Sequence, residues 1–377
     1  MVQDEYKLEV FHGSEGLRAL EKDWRILVQR LDTPHFFQLY EVCKAYVQAL
    51  IGDELEHIFC LLRRRGVTEA IFSLTQRISS VCGLKLYALE FPSHRHLPLS
   101  DGVFVKSEAN RTLVNELVRQ LRKQLRWDVL RFHGLLEDSS VLDSLLANPP
   151  RLTMTTPRSH CDYLPCEPIA AIQERLSKNF RHNLRKARSK LETLPDVEWI
   201  TARSRADLRH ALHDFLQVEA SGWKGAAGTA ILSNERAKRF YEMLVNSLGN
   251  QGGCEIHLLK TNGHTIAGQF CLVTGATSYM LKVGYDEEFS AVAPGQMLLA
   301  QTIDRYARDG TVKLINLVTD AEWHERWKPH QFAVWDVSIF NVTALGLAAF
   351  GLMKARSAYQ DIVPEHRRRQ IRDLWRP

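Results

Sequence analysis

The sequence predicts an α/β (α+β) chain of two domains with a helical tail. Three observations carry this. Apolar positions alternate between helical and strand periods along most of the length. The 377 residues are long for one core. An aperiodic stretch rich in Pro and Thr, from Asn148-Pro149-Pro150 through Pro157, divides the chain. The expected units are residues 1–150, 151–342 and a tail over 343–377.

In the first unit, residues 6–11 are expected as a strand. Glu15 to Leu31 follows as an amphipathic helix with Leu17, Leu20, Trp24 and Leu27 inward. Thr33-Pro34 should start a second helix carrying Phe37, Tyr40, Val42 and Tyr46, because Pro is tolerated in a first turn. Strands are expected at Glu56–Arg63, Glu69–Leu74 and Leu84–Phe91, then a helix over Asn110–Leu125 and a strand over Asp128–Phe132. This half shows no catalytic constellation. His94 and His96 are its nearest pair of metal ligands, and without a matching carboxylate they read as surface residues.

Beyond the boundary, His160–Leu164 is a short strand leading to a basic helix over Ile172–Leu194. Leu176, Phe180, Leu184, Ala187 and Leu191 step along one face of that helix, with Arg181, Arg185 and Arg188 on an adjacent stripe. Seven Lys/Arg stand there against Glu174 and Glu192, an excess equal to the whole chain's net charge of +5. Near-uniform sign costs repulsion, so the stripe is either a solvated face or the seat of an anionic ligand. A strand (Val197–Ala202), a helix (Arg205–Ala220) and the loop Ser221-Gly222-Trp223-Lys224-Gly225 follow. That loop reads as a ligand wall or as a helix stop. A helix over Asn234–Leu248 precedes a hairpin turned by Asn262-Gly263.

The stretch Ser278–Gly310 is then a strand, an acidic turn (Asp286, Glu287, Glu288), a Pro294-Gly295 corner and a helix stopped by Gly310. Free N–H groups and the dipole at such a helix start suit a phosphate; alternatively the corner only turns the chain into its core. Lys313–Val318 is a buried-type strand, Asp320–Lys328 a polar loop, and Trp335–Phe340 the strand that closes the sheet.

Composition is that of a globular chain, with 45% apolar and 25% charged residues. No apolar run approaches the ~20 residues that span a bilayer, and MVQDEYKLEV lacks a signal-peptide pattern. Seven scattered cysteines without a CxxC pair exclude a patterned zinc site. A reduced, cytoplasmic protein is the expectation.

The element order from Pro165 onward resembles the Gcn5-related N-acetyltransferase (GNAT) superfamily, in the branch similar to CelD/BioF2-like acetyltransferases and FemAB peptidyltransferases. The resemblance rests on FRHNLRKARSKLE, EASGWKG, the hairpin ending TIAGQFCLV, the block YMLKVGYDEEFSAVAPGQMLL and the Trp327-Lys328 pair, together spanning roughly residues 165–340. The chain departs from the wider superfamily's acetyl-CoA loop, Gln/Arg-x-x-Gly-x-Gly/Ala: Ala293-Pro294-Gly295-Gln296-Met297 has a single glycine. The acyl donor is therefore open between an acyl-CoA and an aminoacyl-tRNA.

The resemblance implies tandem GNAT-like domains, each a mixed, mostly antiparallel sheet flanked by helices, the first degenerate. It implies acyl transfer to an amine of a sugar, cell-wall or exopolysaccharide precursor, with acetyl-CoA or another acyl-CoA as co-substrate and no tightly bound cofactor. Met280 to Val283 would bind the thioester along a strand edge, and Pro294, Gly295, Gln296 and Met297 would hold its pyrophosphate. Asp286 and Glu219 are the candidate bases, Tyr285 a candidate proton donor to the thiolate, and Lys282 and Lys224 candidate anion binders. Trp223, Asp320, Lys328, Arg181 and Arg185 fall to the substrate side. Rival readings are a FemAB-like aminoacyl-tRNA-dependent transferase and a non-catalytic scaffold of a polysaccharide system. The tail, apolar from Thr343 to Met353 and basic at His366 to Arg369, docks on its own domain, on a second subunit of a homodimer, or on an anionic membrane surface.

Overall fold

The computed structural model describes residues 6–51, 56–222 and 228–362. Its frame is one mixed sheet of twelve strands in the order β1-β2-β3-β4-β5-β12-β6-β11-β10-β9-β8-β7. The strands are β1 (Tyr6–His12), β2 (Glu56–Arg64), β3 (Val67–Val81), β4 (Leu84–Glu90), β5 (Val129–Leu136) and β6 (Thr153–Pro165). The second half supplies β7 (Glu198–Ala202), β8 (Cys254–Thr261), β9 (His264–Thr274), β10 (Thr277–Tyr285), β11 (Leu314–Asn316) and β12 (His330–Phe340).

Read from either edge, the sheet repeats one topology. Four antiparallel strands end in a parallel pair, β4 with β5 and β10 with β11. The last strand of each half then crosses to the other: β6 pairs with β11 and β12 with β5, while β6 and β12 pair with each other at the centre. Trp335–Phe340 therefore does not close an edge; it lies mid-sheet. The boundary stretch is likewise only partly irregular, because Thr153–Pro157 is strand paired to β12.

Helix α1 (Gly13–Gln29) buries Leu17, Leu20, Trp24 and Leu27 as their spacing dictates. The second helix starts late: Phe36–Gln38 is a 3₁₀ turn, and α2 (Tyr40–Ala45) runs into a π turn over Tyr46–Leu50. Helices α3 (Leu113–Gln124) and α4 (Ser140–Ala147) complete the first half, the latter capped by Ser139. The basic helix is two, α5 (Ile169–Arg175) and α6 (Lys178–Leu191), because the Ser177 hydroxyl caps a new start by accepting from the Phe180 N–H. Phe180, Leu184, Ala187 and Leu191 of α6 are buried as expected. Next come α7 (Arg205–Ser221), α8 (Glu235–Leu248) and α9 (Pro294–Asp309), which ends at left-handed Gly310. The Asn262-Gly263 turn has positive φ at both residues, as a type I′ hairpin requires.

The tail helix α10 (Ala344–Ile362) packs on β12 and β4, and the basic residues His366 to Arg369 lie outside the described residues. No helix among the described residues is long and apolar enough to cross a membrane.

Candidate active site

In the second half the parallel ladder is short. Thr277–Tyr279 pairs with Leu314–Asn316, after which β11 stops and β10 runs on to Tyr285 beside β9 alone. A bulge between Met280 and Lys282 bends β10 where it loses this neighbour. Beyond the opening lies a cleft of about 490 Å³.

Glycines shape its floor. Gly268 of β9 and Gly284 of β10 stand opposite each other in register. A Cβ at Gly284 would come within 2.6 Å of the Glu219 Cα, and one at Gly268 within 2.8 Å of the Phe215 ring. Helix α7 thus lies directly on the backbone of both strands, and its last turn brings Glu219 and Gly222 to the cleft. Glu219 is 3% exposed, and its Oε2 accepts the Ile231 N–H at 2.9 Å.

The opposite wall is the start of α9. Ala293 holds a left-handed conformation (φ 44°, ψ 55°) that costs a residue with a Cβ about 1 kcal/mol or more, and Pro294 opens the helix. Ala293, Pro294, Gly295 and Gln296 all line the cleft. A Cβ at Gly295 would lie 3.6 Å from the Tyr285 ring, in ordinary van der Waals contact, so the ring sits directly over this position. The turn Glu322–Trp327 forms the roof, with Trp323 and Arg326 lining the cleft and the Trp327 indole N–H donating to Gln296 Oε1 at 2.5 Å. Phe180 of α6 meets the Trp327 ring edge-on, and α6 packs against the Glu287–Val292 turn and α9. The basic helix therefore stands beside the helix-start corner.

A buried pair pins the roof. His324 Nδ1 and Asp162 Oδ2 are 2.8 Å apart, and Gln331 donates to the other oxygen of Asp162. Burial holds the His324 pKa below its ordinary value, outweighing the pull of Asp162.

Of the residues nominated by sequence, Glu219, Val283, Tyr285, Pro294, Gly295 and Gln296 line the cleft together. Others are held elsewhere. Asp286 caps the following turn through the Glu288 N–H and bonds His264 at 2.9 Å, so its carboxylate is engaged outside the cleft. Lys282 reaches the Arg95 carbonyl of the first half at 3.4 Å. Met280 and Met297 are buried in the core. Asp320 and Lys328 are exposed next to the roof turn, and Arg185 is exposed on α6 with Arg181 half-buried beside it. Trp223 and Lys224 lie outside the described residues. His94 and His96 stack on each other, His96 bonds the Tyr241 hydroxyl at 3.0 Å, and no metal-sized cluster forms among the described residues.

Spacing alone did not nominate Gly268, Gln269, Ser290, Ala293, Trp323 or Arg326, all of which line the cleft. The legible signal was a glycine inside each of two apolar strands, which marks close backbone approach.

Residues 178–329 match the family model described as the acetyltransferase (GNAT) domain. This region is similar to the GNAT acetyltransferase domain. No curated protein matches the sequence. Among solved structures, the chain is similar to FemX (11% identity, 94% of this chain and 99% of that one, TM-score 0.54). It is also similar to a conserved protein of unknown function from Bacteroides thetaiotaomicron (12% identity, 86% and 97%, TM-score 0.54). A third is the C-terminal domain of a putative lysylphosphatidylglycerol synthetase from Agrobacterium fabrum (11% identity, 90% and 96%, TM-score 0.53). At these identities the likeness is one of fold. It extends over both halves, which share one strand topology.

Proposed function

We propose that the chain is an N-acyltransferase that moves an acyl group from acetyl-CoA or a longer acyl-CoA to an amine of a sugar, cell-wall or exopolysaccharide precursor. The observation that carries this reading is the cleft itself. It joins a strand edge released from its neighbour to a helix start opened by Pro294-Gly295, with a buried carboxylate opposite. The thioester lies along β10, whose backbone N–H groups meet the oxyanion as it develops. The pyrophosphate sits at the start of α9, with the cations of α6 adding long-range attraction.

Glu219 takes the proton from the attacking ammonium, and the amine nitrogen then bonds the acyl carbon. As the carbon–sulfur bond breaks, the Tyr285 hydroxyl protonates the leaving thiolate, and the resulting phenolate takes the surplus proton from the acylated nitrogen to leave the neutral amide. Glu219 is preferred over Asp286 because it lines the cleft, whereas Asp286 is engaged by His264 and the Glu288 N–H. Units 1–150 and 151–342 keep separate roles in this reading, the second carrying the chemistry.

The test is calorimetric titration of the purified chain with acetyl-CoA and longer acyl-CoAs, repeated on Gly295→Trp. Micromolar binding that falls at least tenfold in the variant supports the reading. If no acyl-CoA binds and a charged tRNA does, the donor assignment is overturned. If neither binds, catalysis itself is withdrawn in favour of a scaffold.

A further inference from the structure

We propose that the first half holds a second ligand site: a polar cleft that takes a small metabolite bearing an oxyanion, carboxylate or phosphate, separate from acyl transfer. In this half too the parallel ladder spans three pairs, Ala88–Glu90 with Val129–Arg131; β4 then ends and β5 runs on. Past that opening lies a cleft of about 440 Å³ lined by Arg77, Glu90, Ser93, His133, Arg158 and Asp336, among others. Three successive antiparallel pairings separate β5 from β11, so the two parallel pairs point in opposite directions. The two clefts open toward opposite ends of the strands.

The arginines here outnumber the carboxylates they pair with. Glu90, 4% exposed in its side chain, is already paired with Arg131, which also donates to Ser79. Arg77 adds a second guanidinium through Nε, 2.6 Å from the other carboxylate oxygen, while 48% of its side chain stays exposed. Asp336 accepts the Gly134 N–H at 2.9 Å and has His133 Nδ1 at 3.7 Å, and Arg158 adds a further cation through Nη1 at 3.3 Å. Burial would raise the Asp336 pKa, but the bonds from His133 and Gly134 and the charge of Arg158 outweigh it and hold the carboxyl below its usual range.

Three arginines thus face two carboxylates. Arg77 and Arg158 each spend one nitrogen on an acid, which fixes the guanidinium plane and leaves the remaining N–H donors for an incoming oxyanion. The lining lacks the glycine and helix start that shape the acyl cleft, so it suits a compact polar ligand rather than a thioester cofactor.

The test measures thermal stability and calorimetric binding of the full chain with inorganic phosphate, glucose 6-phosphate and citrate. At least one probe should bind saturably. Its affinity should fall at least tenfold in Arg77→Gln/Arg158→Gln but persist in Gly295→Trp and in Arg181→Ala/Arg185→Ala. Response to the phosphates alone assigns a phosphorylated ligand, and response to citrate alone a carboxylate. Arg158→Lys, which keeps the charge and loses the fork, should weaken binding severalfold without changing the ligand-free melting temperature. The proposal is overturned if no probe binds, if the arginine variants bind as well as wild type, or if binding is lost with Arg181 and Arg185 instead.

Discussion

The two halves build the same strand order and put different chemistry where each parallel ladder opens. In the second, glycines and the start of α9 bring backbone to the walls, beside one buried carboxylate and the Trp323 and Arg326 side chains of the roof. In the first, the corresponding opening is lined by arginine–carboxylate pairs. The hydrogen-bonding frame is common to both, and the lining residues decide what each can bind. The repeat reaches the interior as well: each half buries a histidine on its second strand, His57 on β2 and His257 on β8.

That contrast can be broken in four ways. Glu219→Gln keeps an oxygen for the Ile231 N–H and removes the base, so kcat should fall on the order of 10²–10⁴-fold. Stopped-flow thiol release measures it, and a loss under threefold removes Glu219 from the chemistry. Gly284→Val forces α7 off the sheet and should cost about 2–3 kcal/mol of stability, read from the urea midpoint. An unchanged midpoint would mean the close approach is not needed.

The third test concerns pH. Burial pushes His57 and His257 down to about 3, against an unfolded value near 6.5. Between those values the unfolded chain binds protons that the folded chain refuses, so this stability is complete above pH 6.5 and lost as pH falls toward 3. His57→Leu should flatten urea-derived stability against pH by up to about 1.4 kcal/mol per pH unit across that window. His57 is the sharper choice, because its Nδ1 has no partner while both ring nitrogens of His257 are bonded. The smallest effect is expected for Trp327→Phe, which loses the bond to Gln296 and should weaken acyl-CoA binding about fivefold. Unaltered affinity would show that the roof does not order the corner.

Local pattern made much of this legible. The α1 face, the Asn262-Gly263 hairpin and the Pro294-Gly295 corner each follow from residue types at fixed spacing, whereas Glu219 and Tyr285 were nominated through the family resemblance. Pairing between distant strands was not legible. β12 carries the periodicity of any sheet strand, and nothing local in Trp335–Phe340 says that its neighbours are Val129–Leu136 and Thr153–Pro157. The split of α5 from α6 was missed because the apolar steps continue across Leu176 while the Ser177 cap breaks the backbone. Asp286 misled for a related reason: a carboxylate after a strand looks the same whether it faces substrate or caps a turn.

The strand exchange also sets a schedule for synthesis. As the chain leaves the ribosome, β5 is complete at Leu136, yet its partner β12 does not end until Phe340. At ~5–20 residues per second, the nascent first half waits on the order of ten to forty seconds with that flank of β5 unpaired. Unpaired strand flanks recruit other chains. Expression of this protein should therefore respond to translation speed and to chaperones that shield nascent strands, and a fragment ending near residue 150 should aggregate where the full chain does not.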